Sequence, residues 1–167
     1  MINPSFAQIR PLTPVDTSLY RDIRLEGLQQ DPAAFSSSFE REAAMPLSWF
    51  EERIVKGNIL GAFAADELVA VAGYWPQEGA KVKHRAALWG MYVRPAARNS
   101  GLGRRLVEAV VNHASGRVEH LLLSVVSENE AAHRLYQKLG FSEYGREMKA
   151  LKLGGRYLDE ILMVRFL

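Results

Sequence analysis

The apolar residues of this 167-residue chain fall into short segments separated by polar or glycine-containing turns, and two spacings alternate among these segments. Continuous or alternating apolar runs are typical of β-strands, whereas apolar positions three and four residues apart are typical of amphipathic helices. Seven segments predict strands: residues 6–11, 59–65, 68–75, 86–94, 118–126, 141–151 and 156–166. Asp66 and Glu67 separate the second and third runs, which predicts a hairpin with a tight polar turn.

Helical spacing occurs in four places between these runs. Leu19, Ile23 and Leu28 would lie on one face of a first helix. The other three helices are predicted over residues 47–56, 102–114 and 130–139. A polar loop, residues 31–38, separates the first two helices and is long enough to carry function.

The order of these elements is strand, two helices, three strands, helix, strand, helix and two strands. Such interleaving predicts an α/β or α+β protein, in which a mixed sheet of about seven strands has helices on both faces. The run Leu-Leu-Leu-Ser-Val-Val at residues 121–126 predicts a strand that is covered on both faces. No linker, repeat or low-complexity segment is visible, so residues 1–167 are predicted to form one domain.

Composition excludes several kinds of site. The absence of cysteine rules out disulfides, thiolate metal sites and an acyl-cysteine intermediate, and the four scattered histidines show no metal-ligand spacing. These residues predict that the protein has no metal site. A net charge of +2 is too small to indicate nucleic acid as a partner. No apolar segment is long enough for a membrane span, and the N-terminus lacks the pattern of a secretory signal, so we expect a cytoplasmic protein.

A glycine-containing turn, Arg98-Asn-Ser-Gly101-Leu-Gly103, lies between a predicted strand and a predicted helix. Glycine lets the backbone approach a ligand closely, and the first amides of a helix bind phosphate well. Four arginines and no carboxylate occur from Arg94 to Arg105, which predicts a positive potential here. The turn lacks the Gly-Lys-Ser/Thr of a P-loop and the third glycine of a dinucleotide fold. An ordinary strand-to-helix turn with solvated arginines remains an alternative.

The predicted helix over residues 130–139 carries the second distinctive pattern. Asn129 stands where the helix begins, so its amide either caps the helix or binds an amide-rich ligand. Tyr136 lies beside the stripe formed by Ala132, Leu135 and Leu139, where core packing is the simpler interpretation of a lone tyrosine.

Together the two patterns resemble the GNAT family of N-acetyltransferases, which use acetyl-coenzyme A. The matching motifs are Met-Tyr-Val-Arg-Pro at 91–95, Arg-x-x-Gly-x-Gly at 98–103 and Asn-x-x-Ala-x-x-Leu-Tyr-x-x-Leu-Gly-Phe at 129–141. The resemblance implies the GNAT fold, with a largely antiparallel sheet, and an acetyl-coenzyme A-dependent enzyme. It also implies a bulge near Gly90 that opens the cleft for the pantetheine arm.

The resemblance assigns roles residue by residue. The turn would hold the pyrophosphate of coenzyme A through Arg98, Asn99, Ser100, Gly101, Leu102, Gly103 and Arg104. The backbone of Met91, Tyr92 and Val93 would pair with the pantetheine arm, and Asn129 would bond to it. Backbone donors near Val93 would stabilise the acetyl oxygen, and Tyr136 would protonate the leaving thiolate as general acid. Without cysteine, direct transfer in a ternary complex is favoured.

The general base is not assigned. Many family members place a glutamate on the strand that leads into the glycine turn, but residues 85–92 contain no carboxylate. Water relayed to bulk, Glu26, Glu40, Glu42 and His84 remain candidates.

The acceptor is predicted to be a small-molecule or amino-acid-like primary amine. Its pocket would include Glu26, Phe35, Trp75, Trp89 and Tyr157, although aromatic residues at strand spacing are also common in cores. Acetylation of a protein or peptide amine, and a non-catalytic acyl-coenzyme A sensor, are the alternatives. A homodimer, formed through an exposed strand near the C-terminus, is a further expectation from the family.

Overall fold

The central element is one seven-stranded sheet in a computed structural model that describes residues 7–167. Its strands are β1 (Gln8–Pro11), β2 (Ile59–Ala64), β3 (Glu67–Pro76), β4 (Arg85–Val93), β5 (His120–Val126), β6 (Ser142–Leu153) and β7 (Arg156–Phe166). The spatial order is β1-β2-β3-β4-β5-β7-β6, and β4 with β5 is the parallel pair among otherwise antiparallel neighbours. The predicted mixed, largely antiparallel sheet is confirmed. Position 6, where the first strand was predicted to begin, lies outside the described residues.

Helices pack on both faces of this sheet, as predicted. They are α1 (Thr17–Gln30), α2 (Phe39–Ala43), α3 (Leu47–Lys56), α4 (Leu102–Ala114) and α5 (Glu130–Lys138). One apolar core contains α4 with Tyr136 of α5, and a second core contains α1 and α3. Among residues 7–167, no helix combines the length and hydropathy needed to cross a membrane.

The buried face of α1 differs from the prediction. Leu19 is 41% exposed, whereas Tyr20, Ile23, Arg24 and Leu28 are buried. The tyrosine at position 20 offers a larger apolar surface than Leu19, and its ring packs edge-on against Phe50 of the second core. The prediction was therefore right for Ile23 and Leu28 and wrong for Leu19, whose place on the buried face is taken by Tyr20, and that face also carries Arg24 into the core.

Two further expectations need correction. The short helix α2 was not predicted, and it is capped by the preceding residue Ser38, whose hydroxyl accepts a hydrogen bond from the Arg41 amide. Strand β5 is not covered on both faces, because Ser124 is exposed and lines a cavity.

The pairing of β4 and β5 ends early. Arg85–Ala87 of β4 pairs with His120–Leu122 of β5, and beyond these residues the two strands separate. A bulge lies in the separating part of β4, because Gly90 and Met91 together lie opposite Ala72 of β3, between the Val71–Tyr92 and Gly73–Trp89 pairs. Gly90 has φ +65°, a conformation that glycine adopts without strain. The bulge predicted near Gly90 is thus present, and a cleft opens beside it.

Candidate active site

The cleft between β4 and β5 is a cavity of about 870 Å³. Four segments form its walls. They are residues 88–93 of β4, residues 123–126 of β5, one face of α5 with the two residues before it, and residues 30–36 at the end of α1 and in the following loop. The edge of β4 that faces β5 has no strand partner from Leu88 onward among the described residues. A peptide-like ligand arm can therefore hydrogen-bond to this edge as an added strand.

The glycine turn lies at one end of the cavity. Helix α4 begins at Leu102 after Gly101, which has φ +79° and would meet no atom within 4 Å if it carried a Cβ. The first i to i−4 hydrogen bond of α4 runs from the Arg105 amide to the Gly101 carbonyl at 3.2 Å. The amides of Gly103 and Arg104 precede that bond, so they have no partner within the helix. Gly103 also lines the cavity. The turn therefore offers amide donors and open space to an anionic ligand.

The arginines near this turn are less available than the sequence suggested. Arg94 pairs with Glu26 at 2.9 Å and with Glu67, and Arg98 pairs with Asp31 at 2.6 Å. Arg104 pairs with Glu108 of the same helix. The paired carboxylates all lie outside residues 94–105, so the count of charges within those residues overstates the positive potential. The backbone amides, rather than free guanidinium groups, are the main anion donors of the turn.

Tyr136 projects from α5 into the wall of the cavity. Its side chain is buried, and its ring packs against Phe141 with centroids 5.8 Å apart. Burial raises the pKa of the Tyr136 hydroxyl to about 12, so this group is protonated at neutral pH. Its hydroxyl makes no hydrogen bond within residues 7–167. The group is therefore a proton donor that faces a cavity without a competing protein acceptor.

Asn129 serves as the cap of α5. Its Oδ1 accepts a hydrogen bond from the Ala132 amide at 3.2 Å, and the residue also lines the cavity. The two interpretations left open by the sequence are compatible, since the capping bond uses Oδ1 and leaves the side-chain NH₂ group for a ligand.

The other end of the cavity is aromatic. Phe35 and Trp89 line it together with Arg24, whose guanidinium carbon lies 4.9 Å and 5.6 Å from their ring centroids. Trp75 packs edge-on against Trp89 but does not reach the cavity wall, and Tyr157 is half exposed on β7. The structure thus brings together Phe35 and Trp89 of the predicted acceptor residues.

The predicted base candidates have other partners or positions. Glu26 accepts hydrogen bonds from the Tyr92 hydroxyl at 3.0 Å and from Arg94, and it lies outside the cavity wall. Glu42 is buried and bound to Arg24 through two hydrogen bonds of 2.8 and 2.7 Å. Burial alone raises the pKa of Glu42, but the hydrogen bonds and charge of Arg24 outweigh it and hold the pKa below its usual value. Glu40 is exposed on α2.

Three other carboxylates line the cavity. Asp31 is paired with Arg98, and Glu128 is paired with Arg156 at 3.0 Å. Glu160 of β7 is the third, and its carboxylate has no hydrogen bond or ion pair within residues 7–167. It lies on the part of β7 that pairs with Val126 of β5, at the edge of the cleft.

Comparison with known proteins gives the family. The sequence model of the Acetyltransferase (GNAT) family matches residues 23–141, well over half of the chain. The chain belongs to the GNAT family. The GNAT fold, the enzyme class of acetyltransferase and the acyl donor acetyl-coenzyme A, all predicted from the sequence, are confirmed by this membership.

Individual GNAT relatives are similar at moderate identity. The L-methionine sulfoximine/L-methionine sulfone acetyltransferase of Pseudomonas aeruginosa is 32% identical over 124 residues, which cover 70% of this chain and 69% of the relative. The L-amino acid N-acyltransferase MnaT of Escherichia coli is 29% identical over 126 residues, with 70% and 69% coverage. A GNAT acetyltransferase structure from Streptococcus pneumoniae superposes with a TM-score of 0.86 at 23% identity, covering 96% of this chain and 99% of that one.

Two residues of the GNAT cavity were missed in the sequence. Arg24 was missed because the pattern of α1 was assigned from leucines alone, although its spacing of four from Tyr20 places it on the buried face. Glu160 was missed because β7 is distant in sequence from the motifs. The register of β7 against β5 brings it to the cleft, and no local signal gives that register.

Proposed function

We propose that this GNAT enzyme transfers the acetyl group of acetyl-coenzyme A to the primary amine of a small, amino-acid-like acceptor, by direct attack in a ternary complex. The observation that carries the proposal is the cavity between β4 and β5, which has the amide-rich turn at one end, an aromatic wall at the other and Tyr136 in its α5 wall. The names of the Pseudomonas and Escherichia relatives, both of which act on amino acids or their derivatives, support the acceptor class. We treat residues 1–167 as one catalytic domain.

The residues of this chain fit coenzyme A. The open space at Gly101 and the unpaired amides of Gly103 and Arg104 suit the pyrophosphate, with the hydroxyl of Ser100 and the side chains of Arg98 and Asn99 beside them. Leu102 contributes only its backbone, because its side chain is buried. The unpaired β4 edge over Met91, Tyr92 and Val93 is placed for the pantetheine amides, and Asn129 faces the same space.

Tyr136 is the proposed general acid. Acetyl-coenzyme A, when bound, supplies an acetyl thioester whose sulfur leaves as the acceptor amine attacks. The Tyr136 hydroxyl donates a proton or a hydrogen bond to that sulfur, and backbone donors near Val93 stabilise the negative charge that develops on the acetyl oxygen. The sulfur of coenzyme A therefore does not leave as a free thiolate in water.

We assign removal of the amine's proton to Glu160, directly or through a water molecule. Asp31 and Glu128 are held by arginines, whereas Glu160 lines the cavity without a protein partner among the described residues. A free carboxylate can accept the proton of the attacking ammonium group. Glu26, Glu40, Glu42 and His84 remain less well placed, since none of them lines the cavity.

The proposed acceptor pocket contains Phe35 and Trp89, and the loop over residues 32–36 forms part of its wall. A loop in this wall narrows the space beside the aromatic rings, which favours a small acceptor over a protein chain. Glu26, Trp75 and Tyr157 stay predicted contacts at its periphery, which a larger acceptor would reach.

We also infer that the enzyme acts in the cytoplasm and forms a homodimer through β6. This strand is an edge of the sheet, and its Tyr144 and Met148 side chains are 55% and 68% exposed. Pairing with a second copy would cover both residues. Light scattering of the purified protein at several concentrations tests the dimer, and Tyr144→Lys is expected to yield the monomer.

The function is tested by mixing the purified protein with acetyl-coenzyme A and a panel of primary amines and measuring thiol release. Because the chain has no cysteine, a thiol reagent reports only the coenzyme A that is released. We expect turnover with L-methionine sulfone or a related amino acid and no turnover with a peptide amine. Tight acetyl-coenzyme A binding without release of thiol to any amine would refute the proposal and favour the sensor alternative.

A further inference from the structure

A buried group of charged and aromatic side chains lies behind the acceptor end of the cavity. Arg24 is 5% exposed and Glu42 is 1% exposed, and two hydrogen bonds join Nε and Nη2 of the arginine to the carboxylate. The guanidinium is flanked by the rings of Phe35 and Trp89. These contacts fix the orientation of the guanidinium and use two of its three nitrogens.

The third nitrogen of Arg24, Nη1, is buried and has no protein hydrogen-bond partner within residues 7–167. It lies against the β4 bulge, because a Cβ built on Gly90 would be 3.7 Å from it. Arg24, Trp89 and Gly90 all line the cavity, and the indole Nε1 of Trp89 is a second buried donor without a protein partner. Leaving such donors unpaired is costly, and the cost is greater for a charged donor. Two residues of the cavity wall therefore each carry a buried donor that a ligand acceptor atom would satisfy.

The local charge favours an anion at this position. Arg53 lies with its guanidinium carbon 4.8 Å from the Trp89 ring and has no ion pair among the described residues. Two arginines thus face one buried carboxylate, that of Glu42. The excess of one positive charge attracts an anionic group and repels a cationic one.

A carboxylate suits these donors better than other common groups. It accepts hydrogen bonds through two oxygens, and hydrogen bonds between a guanidinium and a carboxylate are among the strong ones. A carboxamide presents one oxygen acceptor and an NH₂ group that repels the same donors. The position beside Gly90 places the bound group next to the β4 segment, Met91 to Val93, assigned to the acetyl-carrying arm.

We propose that Arg24 Nη1 and Trp89 Nε1 form a carboxylate subsite for the acceptor, so that the substrates of this enzyme are α-amino acids with a free carboxylate. The inference rests on the proposed function and narrows it. Glu42 acts as a positioning residue, since it holds the guanidinium with Nη1 beside Gly90 of the cavity wall.

The first test compares L-methionine sulfone with its α-carboxamide as acceptors for the wild-type enzyme. The two molecules share the amine and side chain and differ in the group that the subsite would hold. We expect kcat/KM to be about 10²-fold higher for the acid, the size of one or two charge-assisted hydrogen bonds. Equal values, or a preference for the carboxamide or for an amine without a carboxylate, would overturn the subsite while leaving the acetyltransferase function in place. If the enzyme acetylates none of the acids and none of the other amines, both the carboxylate subsite and the acetyltransferase function are overturned.

The second test uses variants chosen to keep the core intact. Trp89→Phe removes one donor and keeps an aromatic ring, and the double variant Arg24→Gln with Glu42→Gln removes the guanidinium without leaving a buried charge. Each should reduce the ratio of kcat/KM for acid over carboxamide by about tenfold or more, mainly through KM of the acid. The affinity for acetyl-coenzyme A should remain unchanged.

Arg21→Gln is the matched control, because Arg21 lies on α1 one turn before Arg24 and outside the cavity wall. It should keep the wild-type ratio. A purely structural role of the Arg24–Glu42 pair predicts that both substrates lose activity equally and the ratio stays constant, and that result would overturn the proposal. If the double variant fails to fold, Trp89→Phe decides by the same ratio.

Discussion

Removing the hydroxyl of Tyr136 should separate catalysis from stability. In Tyr136→Phe the ring remains, so its edge contact with Phe141, at 5.8 Å between centroids, is retained. The hydroxyl has no hydrogen-bond partner within residues 7–167, so no buried group is left unsatisfied by its removal. We therefore expect the free energy of unfolding at pH 7 to change by less than about 1 kcal/mol.

The size of the catalytic loss follows from the pKa of the donor. General acid catalysis typically contributes about 10²- to 10⁴-fold. Burial raises the pKa of Tyr136 to about 12, whereas an ordinary thiol has a pKa near 8.5, so complete transfer of the proton to an aqueous-like thiolate is uphill by about 5 kcal/mol. A thiolate buried beside the ring has a raised pKa of its own, which narrows the gap. These opposing effects place the expected loss of kcat at the lower end of the range, about 10²-fold or about 2.7 kcal/mol.

The assay is thiol release under saturating L-methionine sulfone, followed for both proteins from pH 6 to pH 10. Because the pKa of Tyr136 is about 12, its ionisation should produce no alkaline fall in kcat over this range. Calorimetry should give the same Kd for acetyl-coenzyme A in both proteins within a factor of about three. An acetyl thioester with a strongly acidic thiol needs no protonation of its leaving group, so the variant should use this donor nearly as well as the wild type does.

Two results would refute the reasoning. An undiminished kcat for Tyr136→Phe with acetyl-coenzyme A would show that the residue only packs. An equal loss with both donors would show that the hydroxyl acts on something other than the leaving sulfur.

The remaining predictions concern the turn, the proposed base, the ion pair near the N-terminus and the alkaline stability linked to Tyr136. Gly101→Val forces a β-branched residue to φ +79° and fills the space open to the ligand. It should raise the Kd for acetyl-coenzyme A, measured by calorimetry, at least tenfold, which is about 1.4 kcal/mol. An unchanged Kd would remove the pyrophosphate assignment. Glu160→Gln should lower kcat at pH 7 and make it rise more steeply with pH. The control Glu51→Gln, at an exposed position on α3 outside the cavity wall, should match the wild-type profile, and identical profiles for all three proteins would favour water relay. The hydrogen bonds that Asp16 accepts from Arg10 lower the pKa of Asp16 from 3.8 to about 2. This carboxylate therefore contributes stability above pH 3.8 that is lost as the pH falls through 2. Asp16→Asn should therefore lower the free energy of unfolding by about 2 kcal/mol at pH 7 and by little at pH 2, in denaturant titrations, and an equal loss at both values would contradict the linkage. Conversely, the pKa of Tyr136 is raised from 10 to about 12, so the free energy of unfolding should keep the full contribution of this residue below pH 10 and fall as the pH rises toward 12. In Tyr136→Phe the free energy of unfolding should fall less over the same pH range.

Most of the fold was predictable because its elements are short and strongly patterned. The runs at 59–65 and 68–75 alternate or are continuously apolar, and their polar turn gives the hairpin directly. The bulge was foreseen from a single glycine, Gly90, inside an otherwise regular strand. Helix α2 was not foreseen, because five residues in a polar stretch provide too few apolar positions for a helical period to appear.

The site was predictable where local sequence sets the conformation. The glycine turn and the Asn129 cap are conformations of neighbouring residues, so their positions follow from the motif. The ion pairs were less predictable, since Arg98 is paired with a residue 67 positions away in the sequence and Glu42 with one 18 positions away. Arg24 and Glu160 depend on the packing of α1 and on the register of β7, which are tertiary properties that no short spacing encodes.

The two halves of the cavity have different tolerances to mutation during evolution. The proposed donor end depends on main-chain amides, an unpaired strand edge and glycines, so most side chains around it could be exchanged while the cofactor is still held. The proposed acceptor end depends on individual side chains such as Phe35 and Trp89, where one substitution would change which amine fits. Lineages with this fold can therefore change their substrate by a few mutations on one wall, without rebuilding the machinery that handles the acetyl group. Conservation of fold at 23% identity is the outcome expected from such a division.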